Sequence, residues 1–419
     1  MKTKILSFLL SVVIVVSTLG IMTVSADTAA ECYWQVSGSS DVTYGTFAEA
    51  VTAANAVAAN GAITITIQND VGTGANTGYQ FKNQNGGVTI TINSVNGAGF
   101  VGAVGINSSA NHKGTIILNE IDMEHSFVSN SATAQPFLFS RGANATIIAN
   151  DCSFHTASGG DNGWGHIGVQ QSGKLELNDC TVTADGNVSN TTDDCRGVFF
   201  FSDANAGTIR LNNVTVNTPN NENPFIKEKK AGTHNISLYN VKYDGADGDF
   251  DTNNAISMID GASVRTVEGS DGMRFSSNVS KAAIEAGGDS YVMGTNFYTG
   301  DAIDSSKLIG TLIATNGIVN NDDGSKRINA VLSGITDMNA TYSAQSFIKY
   351  TVGTIAITVN SKFNTLNNTR SMSAVANAAL DDLSDTKTGI HQFEVTVDNV
   401  TKYSPYSSTQ YEAIKGYIN

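Results

Sequence analysis

Lys174-Leu175-Glu176-Leu177-Asn178-Asp179-Cys180-Thr181-Val182 is the stretch that decides the fold. Its pattern of aliphatic, variable, aliphatic, Asn, variable, apolar, variable and apolar residues recurs in segments that begin at Thr115, Thr146, Thr208 and Asn235. Equivalent apolar residues follow one another at intervals of 27 to 34 residues: Ile121, Cys152, Cys180, Val214 and Val241. A repeat of this length, with a constant core and variable spacers, predicts a solenoid.

Each copy carries two aliphatic residues two positions apart, which places both side chains on one face of a strand. In stacked parallel strands such a side chain meets its equivalent about 4.8 Å above and below, so aliphatic columns pack on themselves. Further strands are indicated at 62–67, 88–93, 137–139, 166–169, 198–201 and 225–226. Three strands per coil predict a parallel β-helix, and we expect a right-handed one because parallel crossover connections nearly always are.

An asparagine follows the aliphatic pair in five successive copies: Asn93, Asn119, Asn150, Asn178 and Asn212. Asparagine tolerates the left-handed backbone conformation, and its amide can hydrogen-bond to equivalent groups in neighbouring coils. We therefore expect this residue to turn each coil and to form contacts along the stack.

Residues 1–26 have the features of a secretory signal peptide, since Lys2 and Lys4 precede an apolar run and Ala26 ends a small-residue cleavage site. We expect a secreted bacterial protein, extracellular or associated with the cell surface, without membrane insertion after the leader is removed. Removal leaves 22 basic against 38 acidic residues, which argues against nucleic acid as a partner. Low charge with abundant Asn, Thr, Ser and Gly is typical of extracellular all-β proteins.

The chain divides into four parts. After the leader, residues 27–61 are expected to form an N-terminal cap with a helix that begins after Thr46. Residues 62–250 are expected to form a β-helix of about six to seven coils, and 251–419 a smaller α+β domain after an acidic, turn-rich boundary. In that last part the pattern predicts helices at 371–383 and 408–418 and strands at 263–267, 291–297, 345–351 and 355–359. The fold class is therefore mainly β.

The stack resembles pectate-lyase-like right-handed β-helices, and Tyr44-Gly45-Thr46-Phe47-Ala48-Glu49-Ala50-Val51 resembles the entry segment of bacterial surface versions. This resemblance covers about half of the chain and implies a fold that hosts lyases, hydrolases, adhesins and passive spacers. Four segments resemble a C-terminal module of secreted Gram-positive bacterial proteins of unknown role: 261–265, 272–275, 294–295 and 368–375.

The motifs of two enzyme classes with this fold are missing. Pectate lyases of this kind use an Arg-x-Pro-x-x-Arg setting, but none of the four prolines has an Arg two residues earlier. Polygalacturonase-like sites need paired Asp residues before Gly-His-Gly, whereas Gly165-His166-Ile167-Gly168 precedes Asp193 and Asp194. We therefore predict a non-enzymatic, adhesin-like or structural protein whose rigid β-helix binds an extracellular polysaccharide or a surface protein.

Two alternatives remain open for the function. One is a polysaccharide lyase or glycosidase with an unrecognised site around His155, Asp161 and His166. The other is a subunit of a self-assembling extracellular filament.

Four residues are candidates for ligand binding. Asp161, Trp164 and His166 lie in an unusual spacer, where an aromatic face and polar groups could stack on and hydrogen-bond a sugar ring. The alternative is that Trp164 covers the side of a coil. Phe199 belongs to a Phe-Phe-Phe strand that must turn at least one ring outward, towards a ligand or under a covering loop.

Calcium is the one cofactor that the sequence suggests. Asp247, Asp249 and Asp251 alternate like the start of a calcium loop, but Thr252 and Met258 stand where an EF-hand needs Gly and Glu. An irregular calcium site and a solvated linker are the alternatives.

Cys152 and Cys180 occupy the same inward column in successive coils. Their Cα atoms are therefore expected about 4.8 Å apart, within the range for a disulfide. Two buried thiols are the alternative. Cys32 and Cys195 have no assigned partner.

Overall fold

A computed structural model describes residues 30–72, 77–102, 104–126, 136–157, 165–184, 197–218, 224–245, 249–259, 261–267 and 271–418. The chain is mainly β, with 48% of residues in strands and 13% in helices, and it forms a β-solenoid of about five turns with parallel sheets. The predicted parallel β-helix is confirmed at this level. The six to seven coils and the right-handed sense stay predictions.

The first described elements cover the start of the solenoid. Strands β1 (Cys32–Val36) and β2 (Thr43–Gly45) pair antiparallel, and helix α1 (Phe47–Asn55) follows. Thr46 caps the helix by accepting a hydrogen bond from the Glu49 amide, and the Glu49 side chain accepts one from the Thr46 amide. The Phe47 ring packs edge-on against Phe100 at 5.0 Å, so the predicted helix buries its apolar face on the first coils.

Nineteen strands build the coils in a repeating order. They are β3 (Ala62–Ile67), β4 (Thr77–Phe81), β5 (Val88–Ser94), β6 (Phe100–Val101), β7 (Val104–Ser108), β8 (Gly114–Asn119), β9 (Asp122–Ser126), β10 (Leu138–Arg141), β11 (Thr146–Asn150), β12 (Ser153–Ala157), β13 (Ile167–Gln170), β14 (Lys174–Asn178), β15 (Thr181–Ala184), β16 (Phe199–Phe201), β17 (Thr208–Asn212), β18 (Thr215–Asn217), β19 (Ile226–Glu228), β20 (His234–Tyr239) and β21 (Lys242–Asp244).

These strands form three parallel sheets. The first sheet contains β3, β5, β8, β11, β14, β17 and β20, the second runs from β4 to β19, and the third from β6 to β21. Along β11, Ile147 and Ala149 are buried, and the residues between and beside them are partly exposed. They pair in register with Leu175 and Leu177 of β14. The repeated aliphatic pairs therefore form the inward columns that the sequence predicts.

The corner between the first and third sheets differs from the prediction in one respect. The residue after the asparagine, not the asparagine itself, has the left-handed conformation, with φ of 55° at Glu120, 53° at Asp151 and 55° at Asp179. The asparagine ends the strand in extended conformation, because this position aims its amide along the stack. The next residue then reverses the chain.

The asparagine amides form a continuous ladder along the first sheet. Asn119 donates to Asn93 at 2.9 Å, Asn150 to Asn119 at 2.8 Å, and Asn178 to Asn150 at 2.9 Å. Asn212 extends the ladder by donating to Asn178 at 2.7 Å. Each interior asparagine both donates and accepts, so the ladder links five successive coils.

Replacing an interior asparagine should cost more than replacing the first one. Asn150→Ala removes one donated and one accepted hydrogen bond, whereas Asn93→Ala removes only the accepted one. At about 1 kcal/mol per hydrogen bond, we expect losses of roughly 2 and 1 kcal/mol in the free energy of unfolding. Urea denaturation measures both, and equal losses would show that the ladder does not act as a connected unit.

The remaining elements follow the last coil. They are β22 (Phe250–Asp251), a 3-10 helix (Thr252–Asn254), β23 (Ile256–Met258), β24 (Ser263–Arg265), β25 (Gly272–Val279), α2 (Lys281–Ala286), β26 (Tyr291–Thr299), a 3-10 helix (Ser305–Lys307), β27 (Leu308–Ile313), β28 (Val319–Asn320), β29 (Lys326–Leu332), β30 (Thr341–Val352), β31 (Ile355–Asn360), α3 (Thr365–Asn368), β32 (Thr369–Ser371), α4 (Met372–Asp381), β33 (Phe393–Val397), β34 (Val400–Ser404) and α5 (Ser408–Lys415). Both predicted helices are present, and the four predicted strands correspond to β24, β26, β30 and β31.

The C-terminal part continues the first sheet of the solenoid. Strand β31 pairs parallel with β20, with Ile236 opposite Ile357 and Leu238 opposite Val359. Strands β30, β26 and β27 then extend this sheet antiparallel, which gives the order β20-β31-β30-β26-β27. The predicted boundary near residue 251 is therefore not a break in the sheet. Whether 251–419 is a domain of its own stays a prediction.

Polar contacts fix this junction as well. The Thr354 hydroxyl donates to the Glu228 carboxylate at 2.6 Å and accepts from the Gly232 amide at 3.0 Å. A separate sheet outside the solenoid, with the order β23-β25-β29-β28, faces the extension of the first sheet. Hydroxyl groups link these two sheets. Ser277 donates to Ser346 at 2.8 Å, and Ser346 lies 2.9 Å from the Thr295 hydroxyl.

Candidate functional site

The outer face of the first sheet is a regular surface that the stacked coils build. Because side chains alternate along each strand, the residues between the inward aliphatic ones point outward and stack in columns. The column next to the asparagine ladder is formed by Thr64, Thr91, Ile117, Ile148, Glu176, Arg210, Ser237 and Thr358. The column beyond it is formed by Thr89, Thr115, Thr146, Lys174, Thr208 and Asn235. We call this surface, with the asparagine ladder, the polar face.

The polar face carries little charge for such an acidic chain. Its charged residues are Lys174 and the pair Glu176 and Arg210, whose side chains lie 3.4 Å apart. The face thus has a formal charge near +1, whereas the whole chain has −14. Hydroxyl and amide groups that repeat about every 4.8 Å suit an extended, hydroxyl-rich ligand.

The structure separates the four residues that the sequence suggested for ligand binding. Asp161 and Trp164 lie outside the described residues, so their role stays a prediction. His166 is 3% exposed, and both of its ring nitrogens are buried with no hydrogen-bond partner among the described residues. Burial lowers the pKa of His166 to about 4, so the ring is neutral at pH 7. We therefore assign His166 to the interior of the stack.

Phe199 is also a core residue. It is 0% exposed and packs edge-on against Phe225 at 5.2 Å. The ring that points outward in this strand is Phe200, which packs against Phe139 at 5.3 Å. Gly168 leaves the room for it, since a Cβ there would meet the Phe200 ring at 2.3 Å. The expectation that Phe199 meets a ligand is corrected for this reason.

The proposed lyase or glycosidase site does not assemble from its two described histidines. His155 lies at an outward position of β12, between the buried Phe154 and Thr156. His166 faces the interior. Their rings therefore point to different sides of the sheets and cannot act together on one substrate. Asp161, the third member, lies outside the described residues.

Two aspartates of the acidic segment after the last coil accept hydrogen bonds from backbone amides. Asp249 accepts a hydrogen bond from the Gly245 amide at 3.3 Å, and Asp251 caps the 3-10 helix by accepting one from Asn253 at 2.8 Å. Asp247 lies outside the described residues. In the described part of the chain, no three His, Cys, Asp or Glu side chains group closely enough to hold a metal ion. Calcium binding stays a prediction.

The predicted cysteine pair is close but reduced. Cys152 and Cys180 are buried free thiols at equivalent positions of two coils, which is one of the two states that the sequence leaves open. Contact with the Cys180 thiol and burial raise the pKa of Cys152, so this thiol is protonated. The disulfide stays a prediction for the oxidised protein. Cys32 is a third buried free thiol, and Cys195 lies outside the described residues.

A cleft of about 530 Å³ opens where the last coil meets the C-terminal part. Its walls are mostly apolar and include Leu238, Ile357 and Val359, with the exposed Asp249 and Asp251 beside them. A cleft of this size holds a small apolar group, whereas a polysaccharide chain requires an extended surface.

No family model matches this chain, and no curated protein matches it. In the described part of the chain, no helix has the length and apolar character needed to cross a membrane.

Proposed function

We propose that this is a secreted, non-enzymatic surface or adhesin-like protein whose β-helix binds an extracellular polysaccharide or a surface protein through the polar face. In this proposal the chain is a right-handed, pectate-lyase-like β-helix of six to seven coils. An α+β module related to those of Gram-positive secreted proteins follows it. The single observation that supports a binding role is the regular, nearly uncharged outer face of the first sheet.

The physical reason is geometric. A binding surface for a long polymer has to repeat, and most coils offer a threonine hydroxyl or an asparagine amide at the position of Thr89, Thr115 and Thr146, with Lys174 as the exception. The inward columns and the asparagine ladder hold these groups without further ordering on binding, which lowers the entropic cost of association. Ile117 and Ile148 add an apolar strip on which the face of a sugar ring can lie.

Retention on insoluble polysaccharides and mucins tests this function. We expect the full chain to bind at least one of them, and Thr146→Arg together with Ile148→Glu to reduce binding about tenfold or more by blocking the centre of the face. Thr183→Arg, on the outer side of the third sheet, is the matched control and should bind normally. Release of sugars or unsaturated products would contradict the proposal and favour a lyase or glycosidase.

A further inference from the structure

Strand β27 is an apolar strand at the edge of the extended first sheet. Leu308, Ile309, Leu312 and Ile313 are 45, 48, 40 and 45% exposed, although aliphatic residues in a strand are normally covered on at least one side. One edge of β27 pairs antiparallel with β26, and no described strand pairs with the other. The strand thus presents exposed aliphatic side chains beside an open edge.

Along a regular stretch of the open edge, backbone groups have no hydrogen-bond partner in the described part of the chain. Pairing with β26 is regular from Gly310 to Ile313, and the Ala314 amide donates to the Met293 carbonyl at 2.9 Å. In an antiparallel pair, the backbone groups of every second residue hydrogen-bond to the neighbouring strand, and those of the residues between point to the opposite side. The backbone N–H and C=O groups of Thr311 and Ile313 therefore point away from β26, towards the open edge.

This edge has few of the usual protections against pairing. Natural edge strands carry lysine or proline, or are very short, whereas residues 308–321 contain no charged residue and no proline. The register shift in β27 affects only its beginning, opposite Phe297 and Tyr298. Strand β28, the edge of the facing sheet, follows closely and leaves Val319 exposed. Two sheet edges are therefore open at the same side of the molecule.

We propose that β27 pairs with β27 of a second copy of this chain, antiparallel and about a two-fold axis perpendicular to the sheet. Such an axis makes the same strand serve both partners, which is the commonest symmetry of homo-oligomers. It places equivalent faces of the two sheets on one side, so aliphatic residues meet aliphatic residues.

The uncharged edge adds no repulsion between two like chains. Two copies with a net charge of −14 repel one another over most of their surfaces, but the edge itself is neutral. The dimer joins the first sheet of one copy to the first sheet of the other, and it brings the exposed aliphatic residues beside their equivalents, which partly shields them from water. It does not depend on the proposed function, since the polar face stays open.

Sedimentation of the full chain, with and without Ile313→Lys, tests this pairing. We expect the parent to sediment as a dimer and Ile313→Lys as a monomer, because a lysine on an edge strand opposes pairing. Leu366→Lys, at a 72% exposed position of α3, is the matched control and should remain dimeric. Thr311→Pro provides a second variant, since its N–H points to the open edge and its loss leaves the β26 pairing intact.

Hydrogen exchange checks the contact directly. The amides of Thr311 and Ile313 should be protected in the parent and should exchange at least about tenfold faster in Ile313→Lys, while the circular-dichroism spectrum of the folded chain stays the same. A parent that remains monomeric at about 100 µM overturns the proposal, even if β27 captures a strand of another protein. Persistence of the dimer in both variants overturns it too.

Discussion

Phe199→Ala is expected to lower the free energy of unfolding by about 3–5 kcal/mol, the usual cost of removing a fully buried aromatic side chain. The ring lies inside the stack against Phe225, where the coils above and below cannot close the cavity without moving their strands. Urea denaturation followed by circular dichroism measures the loss.

A matched control separates core packing from ligand binding at Phe199. Phe393→Ala removes a half-buried ring from the hairpin of β33 and β34 and should cost about 1 kcal/mol or less. If Phe199→Ala instead left stability unchanged and abolished retention on a polysaccharide, the ring would be a ligand-binding residue and its assignment to the core would be wrong.

Acid is expected to destabilise the fold through three buried histidines. Burial lowers the pKa of His112 to about 4, that of His125 to about 3 and that of His166 to about 4. An unfolded histidine has a pKa near 6.5, so below this pH the unfolded chain takes up protons that the folded chain refuses. Stability is therefore full above about pH 6.5 and falls as the pH drops towards 4.

For His166 the expected acid effect is about 2.5 kcal/mol at pH 4.5, two pH units below the unfolded pKa. His166→Leu should reduce the difference in unfolding free energy between pH 7.5 and pH 4.5 by about this amount. His155→Leu, at an outward position, is the control. The carboxylates are the same in the parent, in His166→Leu and in His155→Leu. The difference in pH dependence between these proteins therefore reports the contribution of the buried His166 ring. An unchanged pH dependence in His166→Leu would contradict the assignment.

The inward columns of the stack were predictable because the alternation of side chains along each strand and the repeat from coil to coil specify the same buried positions. The sequence could not show which of the three adjacent phenylalanines points outward, because three identical residues in a row show no alternation. Gly168 was the available signal, because a glycine in register with Phe200 makes room for an outward ring. The corner was misassigned for a similar reason. Asparagine favours the left-handed conformation, but here its place in the ladder keeps it extended.

The polar face and the junction needed information beyond the repeat. The outward threonines are visible in the sequence, but only the register of the strands makes them columns. Ile357-Thr358-Val359-Asn360 does match the aliphatic, variable, aliphatic, Asn pattern, and it adds to the stack next to β20. This match was missed because the segment lies far along the sequence from the other copies of the repeat. Exposure of β27 depends on packing between distant strands, so composition alone could not reveal it.

The distant origin of β31 has a consequence for the order of folding. Neighbouring coils join residues such as Asn119 and Asn150, which are 31 positions apart, whereas Asn360 bonds to Ser237 across 123 positions. Closing a loop four times longer costs about 1.2 kcal/mol more in chain entropy before any contact forms. The coils can therefore grow one upon another during synthesis, and the last strand can join only after the ribosome has passed residue 360. Until then the newest coil has an open end whose backbone groups can pair with another strand.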